Sequence, residues 1–292
     1  MFLAVLALLL SIISLCVGST YAKMLFAQLG PEGATVMRVG FAALMLLAVW
    51  RPWRLSLSRR QAGLIVLYGL ILGAMNLLFY KGIETIPIGV AIAVEFIGPL
   101  ALAVCTSRRA LDFVWIAFAA VGMFLLSPFA TGGVSSLDPV GVTYILVAAV
   151  LWALYIVIGK EVGRGHSGQV TSLGMTAAGL VVLPFGITHL SRAIAEPSLL
   201  LAGVVVAVMS SAIPFTLELY ALKRMPKQTF GILLSMEPVA GALTGLFMLN
   251  EVLTPLQWLA IGAIITASVG CTVGLRKQED VPLSDADGIA LT

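Results

Sequence analysis

Gly89-Val90-Ala91-Ile92-Ala93-Val94-Glu95-Phe96-Ile97-Gly98-Pro99 places one carboxylate inside an otherwise apolar run. Far down the chain, Gly231-Ile232-Leu233-Leu234-Ser235-Met236-Glu237-Pro238 repeats the arrangement, again with glycine six residues ahead of glutamate. An acid at the centre of a lipid-spanning helix costs roughly 2.5–3.5 kcal/mol on insertion scales. Two such costs at matched places argue that Glu95 and Glu237 face a shared polar cavity. The competing reading is a pair of neutral, hydrogen-bonded carboxyls that hold helices together.

The rest of the chain supports a membrane setting for these runs. Of 292 residues, 60% are hydrophobic and 11% charged, against about 25% charged in soluble domains. The mean hydropathy is +1.07. A soluble fold cannot hide that much apolar surface, so lipid must be the solvent for most of the chain. A span takes about 20 residues, and apolar runs fall at 2–22, 33–50, 62–81, 88–106, 112–128, 140–159, 169–188, 199–221, 229–249 and 255–275. Ten spans leave no room for a separate soluble domain. No Lys or Arg precedes Phe2–Val17, which argues for a first span over a signal peptide.

Cap chemistry marks two helix starts independently. Asp138-Pro139 suits an N-cap followed by proline at the first helical position, and Thr254-Pro255-Leu256-Gln257 reads as a capping box. Orientation follows from the basic residues. Arg51, Arg54, Arg59, Arg60, Arg108, Arg109, Lys160, Arg164, Lys223, Arg224, Lys227, Arg276 and Lys277 fall on one side, thirteen of 17. Cytoplasmic loops collect Lys and Arg, so both termini are expected in the cytoplasm. Lys23, Arg38, Lys81 and Arg192 are the exceptions. The acidic stretch 278–292 reads as a disordered cytoplasmic tail.

Ten spans divide into two sets of five. Trp115-Ile116-Ala117-Phe118-Ala119-Ala120 aligns with Trp258-Leu259-Ala260-Ile261-Gly262-Ala263, and the Gly-to-Glu spacing matches span 4 to span 9. Five is odd, so the second set enters the membrane from the opposite side. The expected fold is an all-α membrane protein: ten transmembrane helices in two inverted five-helix repeats, residues 1–130 and 138–276, around a central cavity. Transporters use this design, with substrate near the midplane at the repeat interface.

Other polar residues lie within the spans. Asn76 either faces the cavity or is satisfied within the protein, and an amide is harder to satisfy in lipid than a hydroxyl. Tyr80, Ser210, Ser211, Thr216, Tyr220 and Ser235 either line the cavity or serve as helix glue. Arg38 either snorkels outward or binds a substrate carboxylate. Glu218 lies near the cytoplasmic end of span 8 and is read as reaching water. Pro99, Pro214 and Pro238 free the carbonyls of Glu95, Ser210 and Leu234, which can line a cavity or simply mark packing kinks. Cys16, Cys105 and Cys271 have no disulfide or metal spacing and read as small buried residues. There is no catalytic residue set, no metal-ligand pattern, and no phosphate loop or other cofactor motif. Basic residues follow topology, which leaves no nucleic-acid partner. The sequence bears no signature of an oligomeric state.

Gly231 through Met236-Glu237-Pro238, Asn250-Glu251-Val252-Leu253-Thr254, Gln257-Trp258-Leu259 and Met37-Arg38-Val39 resemble the EamA-domain members of the drug/metabolite transporter superfamily. Arg51-Pro52-Trp53-Arg54-Leu55, Asn76-Leu77-Leu78-Phe79-Tyr80, Glu95-Phe96-Ile97-Gly98-Pro99-Leu100 and Ser107-Arg108-Arg109 are similar to its subgroup of bacterial inner-membrane threonine/homoserine exporters. The resemblance covers residues 1–277. It implies two EamA-type five-helix repeats and export of small amino acids from the cytoplasm, driven by protons. Glu95 and Glu237 are then the candidates for proton coupling and for the substrate ammonium, and Arg38 or backbone N–H groups for its carboxylate. A buried acid can take up and release protons, and alternate binding of proton and substrate would couple their movements. An exporter of lipophilic cationic drugs or other metabolites is the first alternative, since two central acids suit it equally. An intramembrane enzyme is the second, and nothing positions a nucleophile beside the acids.

Overall fold

The computed structural model describes residues 2–54, 56–86, 88–107, 110–126, 138–162, 167–248 and 254–279. The described residues are overwhelmingly helical, with no strand among them. Among the described residues, six helices are long and apolar enough to cross a membrane: Phe2–Ala22, Leu25–Trp50, Arg59–Thr85, Pro139–Val162, Gly168–His189 and Pro197–Leu222. Four shorter apolar helices accompany them, Ile97–Thr106, Phe113–Leu125, Thr229–Thr244 and Pro255–Ala267. The sequence predicts ten spans, with prolines disturbing those that carry Glu95, Ser210 and Glu237. Two of the expected spans, 88–106 and 229–249, are broken in mid-course at Phe96 and Ser235.

α1 (Phe2–Trp50) is two helical arms that meet at Gly30, where φ is 64° and ψ 171°. Only glycine occupies that region readily. Pro31 then opens the second arm, where its missing N–H is no loss. The turn between the first two spans is thus far tighter than the gap 23–32 between the two apolar runs suggests. α2 (Arg59–Thr85) opens on a capping box, in which Ser58 and Gln61 satisfy each other's backbone N–H groups. α6 (Pro139–Val162) opens as expected on Asp138, which accepts from the N–H groups of Val140 at 3.2 Å and Gly141 at 3.0 Å. The Thr85 hydroxyl donates to the same carboxylate at 2.9 Å and ties the end of α2 to the start of α6. That bond, with the two from the backbone, holds the Asp138 carboxyl below its usual range. This cap therefore stabilises above the unfolded value of about 4 and is lost as pH falls through the lower folded value. α13 (Pro255–Glu279) opens on the expected box, with Gln257 Oε1 accepting from Thr254 N at 2.9 Å and Thr254 Oγ1 from Gln257 N at 3.3 Å.

Helix packing in lipid depends on close van der Waals approach rather than on hydrophobic drive. α2 lies between α6 and α7 (Ser167–Gly186), while α1 packs on α7, α9 (Pro197–Ala207) and α10 (Ile213–Leu222). α4 (Ile97–Thr106) pairs with α11 (Lys227–Leu234), and α5 (Ala110–Leu126) with α13. The tightest approach brings Gly98 of α4 onto the backbone of α6, where an added methyl would overlap the Ala149 carbonyl.

Two of the basic residues that broke the topological pattern have structural partners. Lys81 pairs with Glu32 at 3.0 Å beside the Gly30 turn, and Arg38 is bonded inside the protein. Lys160 does more than mark a side: its ammonium caps the C-terminus of α10 through the carbonyls of Leu222, at 2.8 Å, and Met225. Cys16 is buried as expected, but Cys105 is exposed on α4. A thiol behaves as a small apolar group and tolerates a lipid-facing position. α13 continues to Glu279, so the first two residues of the expected tail are helical. Residues 280–292 lie outside the described residues, as do Arg108, Arg109, Arg164 and Asn250–Leu253.

Gly98→Ala is expected to destabilise the protein by roughly 1–3 kcal/mol through overpacking. Gly63, with open space around it, is the control, and Gly63→Ala should be neutral or gain up to about 1 kcal/mol of helix propensity. Thermal unfolding in detergent compares the two.

Candidate functional site

Both sequence-matched acids occupy helix breaks. α3 (Ile88–Glu95) ends on Glu95, and α4 begins at Ile97 after the single residue Phe96. α11 ends at Leu234, and α12 (Met236–Met248) begins after the single residue Ser235. Proline explains the position. Pro99 cannot donate to the Glu95 carbonyl, nor Pro238 to that of Leu234, so neither helix continues undisturbed through its acid. Phe96 is fully buried and meets Trp152 edge to face, with ring centroids 5.9 Å apart. That contact anchors the first break against α6.

Glu95, Glu237, Arg38 and Asn76 come together on one cavity of about 60 Å³, joined by Glu218 and by the aromatic walls Phe79, Trp152 and Phe215. A space of 10–15 Å³ on this measure admits one water, so the cavity holds a few. Glu95 is only 8% exposed. The Glu237 Oε2 atom is buried with no hydrogen-bond partner. The Asn76 Nδ2 group donates to the Leu72 carbonyl at 2.8 Å, which leaves its amide oxygen for the cavity.

Arg38 is 3% exposed and does not snorkel. Its Nε donates to Ser211 Oγ at 2.8 Å, Nη1 to the Tyr80 hydroxyl at 2.7 Å and Nη2 to the Ser210 carbonyl at 2.6 Å. The Ser210 carbonyl is the one that Pro214 leaves without a helical donor, and the backbone there widens into a π turn, Val208–Ala212. The freed acceptor thus lies behind the cavity as an anchor for the guanidinium. Tyr80 and Ser210 support Arg38 from behind and do not line the cavity. The Ser235 hydroxyl turns back to the Ile232 carbonyl, and that of Thr216 to Ala212 at 2.6 Å. Tyr220 stands apart, its ring 3.6 Å under the Arg224 guanidinium.

Glu218 is the residue that sequence reading misplaced. It does not reach water: it is 4% exposed, lines the cavity, and accepts from Ser11 Oγ at 3.2 Å and the Tyr155 hydroxyl at 3.1 Å. The helix face it shares was readable from spacing, but its burial was not. Ser211, Pro214 and Glu218 stand at i, i+3 and i+7, one face of a helix. Among the described residues no group of His, Cys, Asp and Glu is arranged to hold a metal.

Residues 139–273 match the EamA-like transporter family. The chain is 41% identical to the threonine/homoserine exporter RhtA of Escherichia coli strain K12, over 96% of its own length and 94% of the exporter's. The chain belongs to the EamA-like transporter family. The RhtA exporter of Salmonella typhimurium strain LT2 is 40% identical over 97% of this chain and 96% of its own. The uncharacterized inner membrane transporter YedA of E. coli K12 is 29% identical over 65% and 64%. A solved crystal structure superposes with a TM-score of 0.72 at 20% identity, covering 94% of this chain and 98% of the other, which speaks to the fold alone. This EamA-family chain is accordingly a multi-pass membrane transporter and not an enzyme.

In this transporter, Arg38→Lys removes a planar three-way donor and leaves buried acceptors unpaired, at a cost of roughly 2–4 kcal/mol. Tyr80→Phe removes one partner and should cost about 1 kcal/mol. Chemical unfolding of purified protein in detergent is the measurement.

Proposed function

We propose that this chain exports small amino acids of the threonine and homoserine type across a bacterial inner membrane. The observation that carries the reading is the 41% identity to an exporter of those substrates over nearly the whole chain. Export runs by proton-coupled alternating access, with ten spans in two inverted five-helix repeats, 1–130 and 138–276, and both termini in the cytoplasm. Several features support the repeat. Single-residue breaks fall at Phe96 and Ser235, each beside an acid and a proline. The family match covers one half-length unit, 139–273.

The substrate ammonium binds between Glu95 and Glu237, where a buried carboxylate oxygen has no other partner. The free amide oxygen of Asn76 accepts from the side-chain hydroxyl that threonine and homoserine share. Arg38 directs Nε, Nη1 and Nη2 at protein acceptors, so it sets the local positive field. The substrate carboxylate is left to backbone N–H groups beside the helix breaks, which favour anions.

One observation favours a second reading. Three carboxyls face one guanidinium, and Phe79, Trp152 and Phe215 supply aromatic walls. That lining also suits a lipophilic cation.

Counterflow of labelled threonine in proteoliposomes tests the reading. Wild type should exchange threonine, with unlabelled homoserine competing. Glu95→Gln and Glu237→Gln should each lower the rate by about tenfold or more, the loss of one charged hydrogen bond. Normal exchange with unchanged pH dependence in both variants would sink the site assignment. Competition by a dye cation, with none by homoserine, would favour the drug-export reading.

A further inference from the structure

We propose that Glu218 is the group that carries the coupled proton, and that its charged carboxylate latches α10 to α1 and α6. The proposal rests on the proton-coupled reading above and assigns the proton to a carboxyl distinct from the two repeat-related acids.

Glu218 belongs to two environments at once. One side of it lines the cavity. Its carboxylate oxygens reach Ser11 on the first arm of α1 and Tyr155 on α6. Tyr155 stacks on Tyr68 of α2, with ring centroids 5.2 Å apart, and both rings are fully buried. Tyr68 in turn fills the space against Gly159 of α6 and Gly174 of α7. Glu218, Tyr155 and Tyr68 thus lie between the cavity and the helix ends that carry Arg59, Lys160 and Lys223. This aromatic plug closes that side, and the latch holds it shut.

The hydrogen count around Ser11 gives the latch two states. The single Ser11 hydroxyl hydrogen faces both Glu218 Oε1, at 3.2 Å, and the Pro214 carbonyl, at 3.1 Å. With Glu218 charged, that hydrogen is divided between two acceptors, and Tyr155 donates to the other carboxylate oxygen. With Glu218 protonated, the acid can itself donate to Ser11 Oγ, and the Ser11 hydrogen passes wholly to Pro214. The bond from Tyr155 loses its charge assistance, which roughly halves its strength. Protonation therefore loosens α10 from α6 and leaves a satisfied pattern at α1. α10 can respond because it joins α9 through the π turn Val208–Ala212, a common site of local rearrangement.

The proton balance is simple. A proton from the outer aqueous side adds to a Glu218 oxygen through the cavity. Opening of the plug returns it to water on the opposite side, and no other reagent is consumed. The charged and titratable groups facing Glu218 are Arg38 of α1, Glu237 of α12, Tyr155 of α6 and Tyr68 of α2, with Glu95 across the cavity. α7 and α9 contribute no titratable side chain.

The test uses full-length protein in liposomes and labelled threonine, with two readouts: accumulation driven by an imposed pH gradient, and counterflow without a gradient across a pH series. Wild type should show both, and its counterflow should vary with pH. Glu218→Gln should lose gradient-driven accumulation and show counterflow that no longer varies with pH. Gradient-driven accumulation in Glu218→Gln overturns the proposal. So does loss of its counterflow at every pH, which marks a substrate ligand. Wild type that exchanges threonine but ignores the gradient removes proton coupling, and the latch with it. Wild type that does neither removes the export reading itself. Should Glu218→Gln fail to fold, Tyr155→Phe and Ser11→Ala decide. Each withdraws one donor from the carboxylate and should move the pH of half-maximal accumulation upward by about one unit. An unmoved profile in both overturns the latch.

Discussion

Charge in a membrane interior must be answered from within the protein, because lipid tails offer no hydrogen bonds. In this chain the answer is organised around Arg38. Its guanidinium is directed at three acceptors, two of them in or beside the π turn of the run that bears Glu218. Arg38 therefore joins the second arm of α1 to the α9–α10 run and places a fixed positive charge beside three acids. Without that charge, the carboxyls of Glu95, Glu218 and Glu237 would have no cationic counterpart among the cavity-lining side chains. The site and the packing are one structure.

The two broken spans express the same constraint in the backbone. A helix is the default in lipid because it satisfies its own N–H and C=O groups. Interrupting one is tolerable only where other groups or a water-filled space take over. Both interruptions lie next to the acids, and both are enforced by proline. Each break stands beside an acid that lines the same small cavity.

Much of this was legible in the sequence. The apolar runs, the caps at Asp138 and Thr254, and the matched acids with their prolines follow from local chemistry, so they could be read one residue at a time. Asn76 and Arg38 reach the cavity because a buried amide or guanidinium has few other destinations. Glu218 was misread because depth along a helix was taken as a measure of access to water. Its burial is a tertiary property, set by Ser11 and Tyr155 from helices distant in sequence. Tyr220, two residues further on, lies under the Arg224 guanidinium and does not line the cavity. The inverted repeat remains a reading of matched spacing and matched breaks.

The tight corner at Gly30 also constrains motion. A residue of extended chain reaches at most about 3.3–3.6 Å, so a single-residue joint holds the two arms of α1 together at that end. The Lys81–Glu32 ion pair fastens the same corner to α2. One arm carries Ser11 and the other Arg38, so the α1 partners of Glu218 and of the π turn share one pivot. Relative displacement of the arms must grow with distance from Gly30, as between the legs of a compass. It is therefore greatest at the opposite face of the membrane, near Phe2 and Trp50.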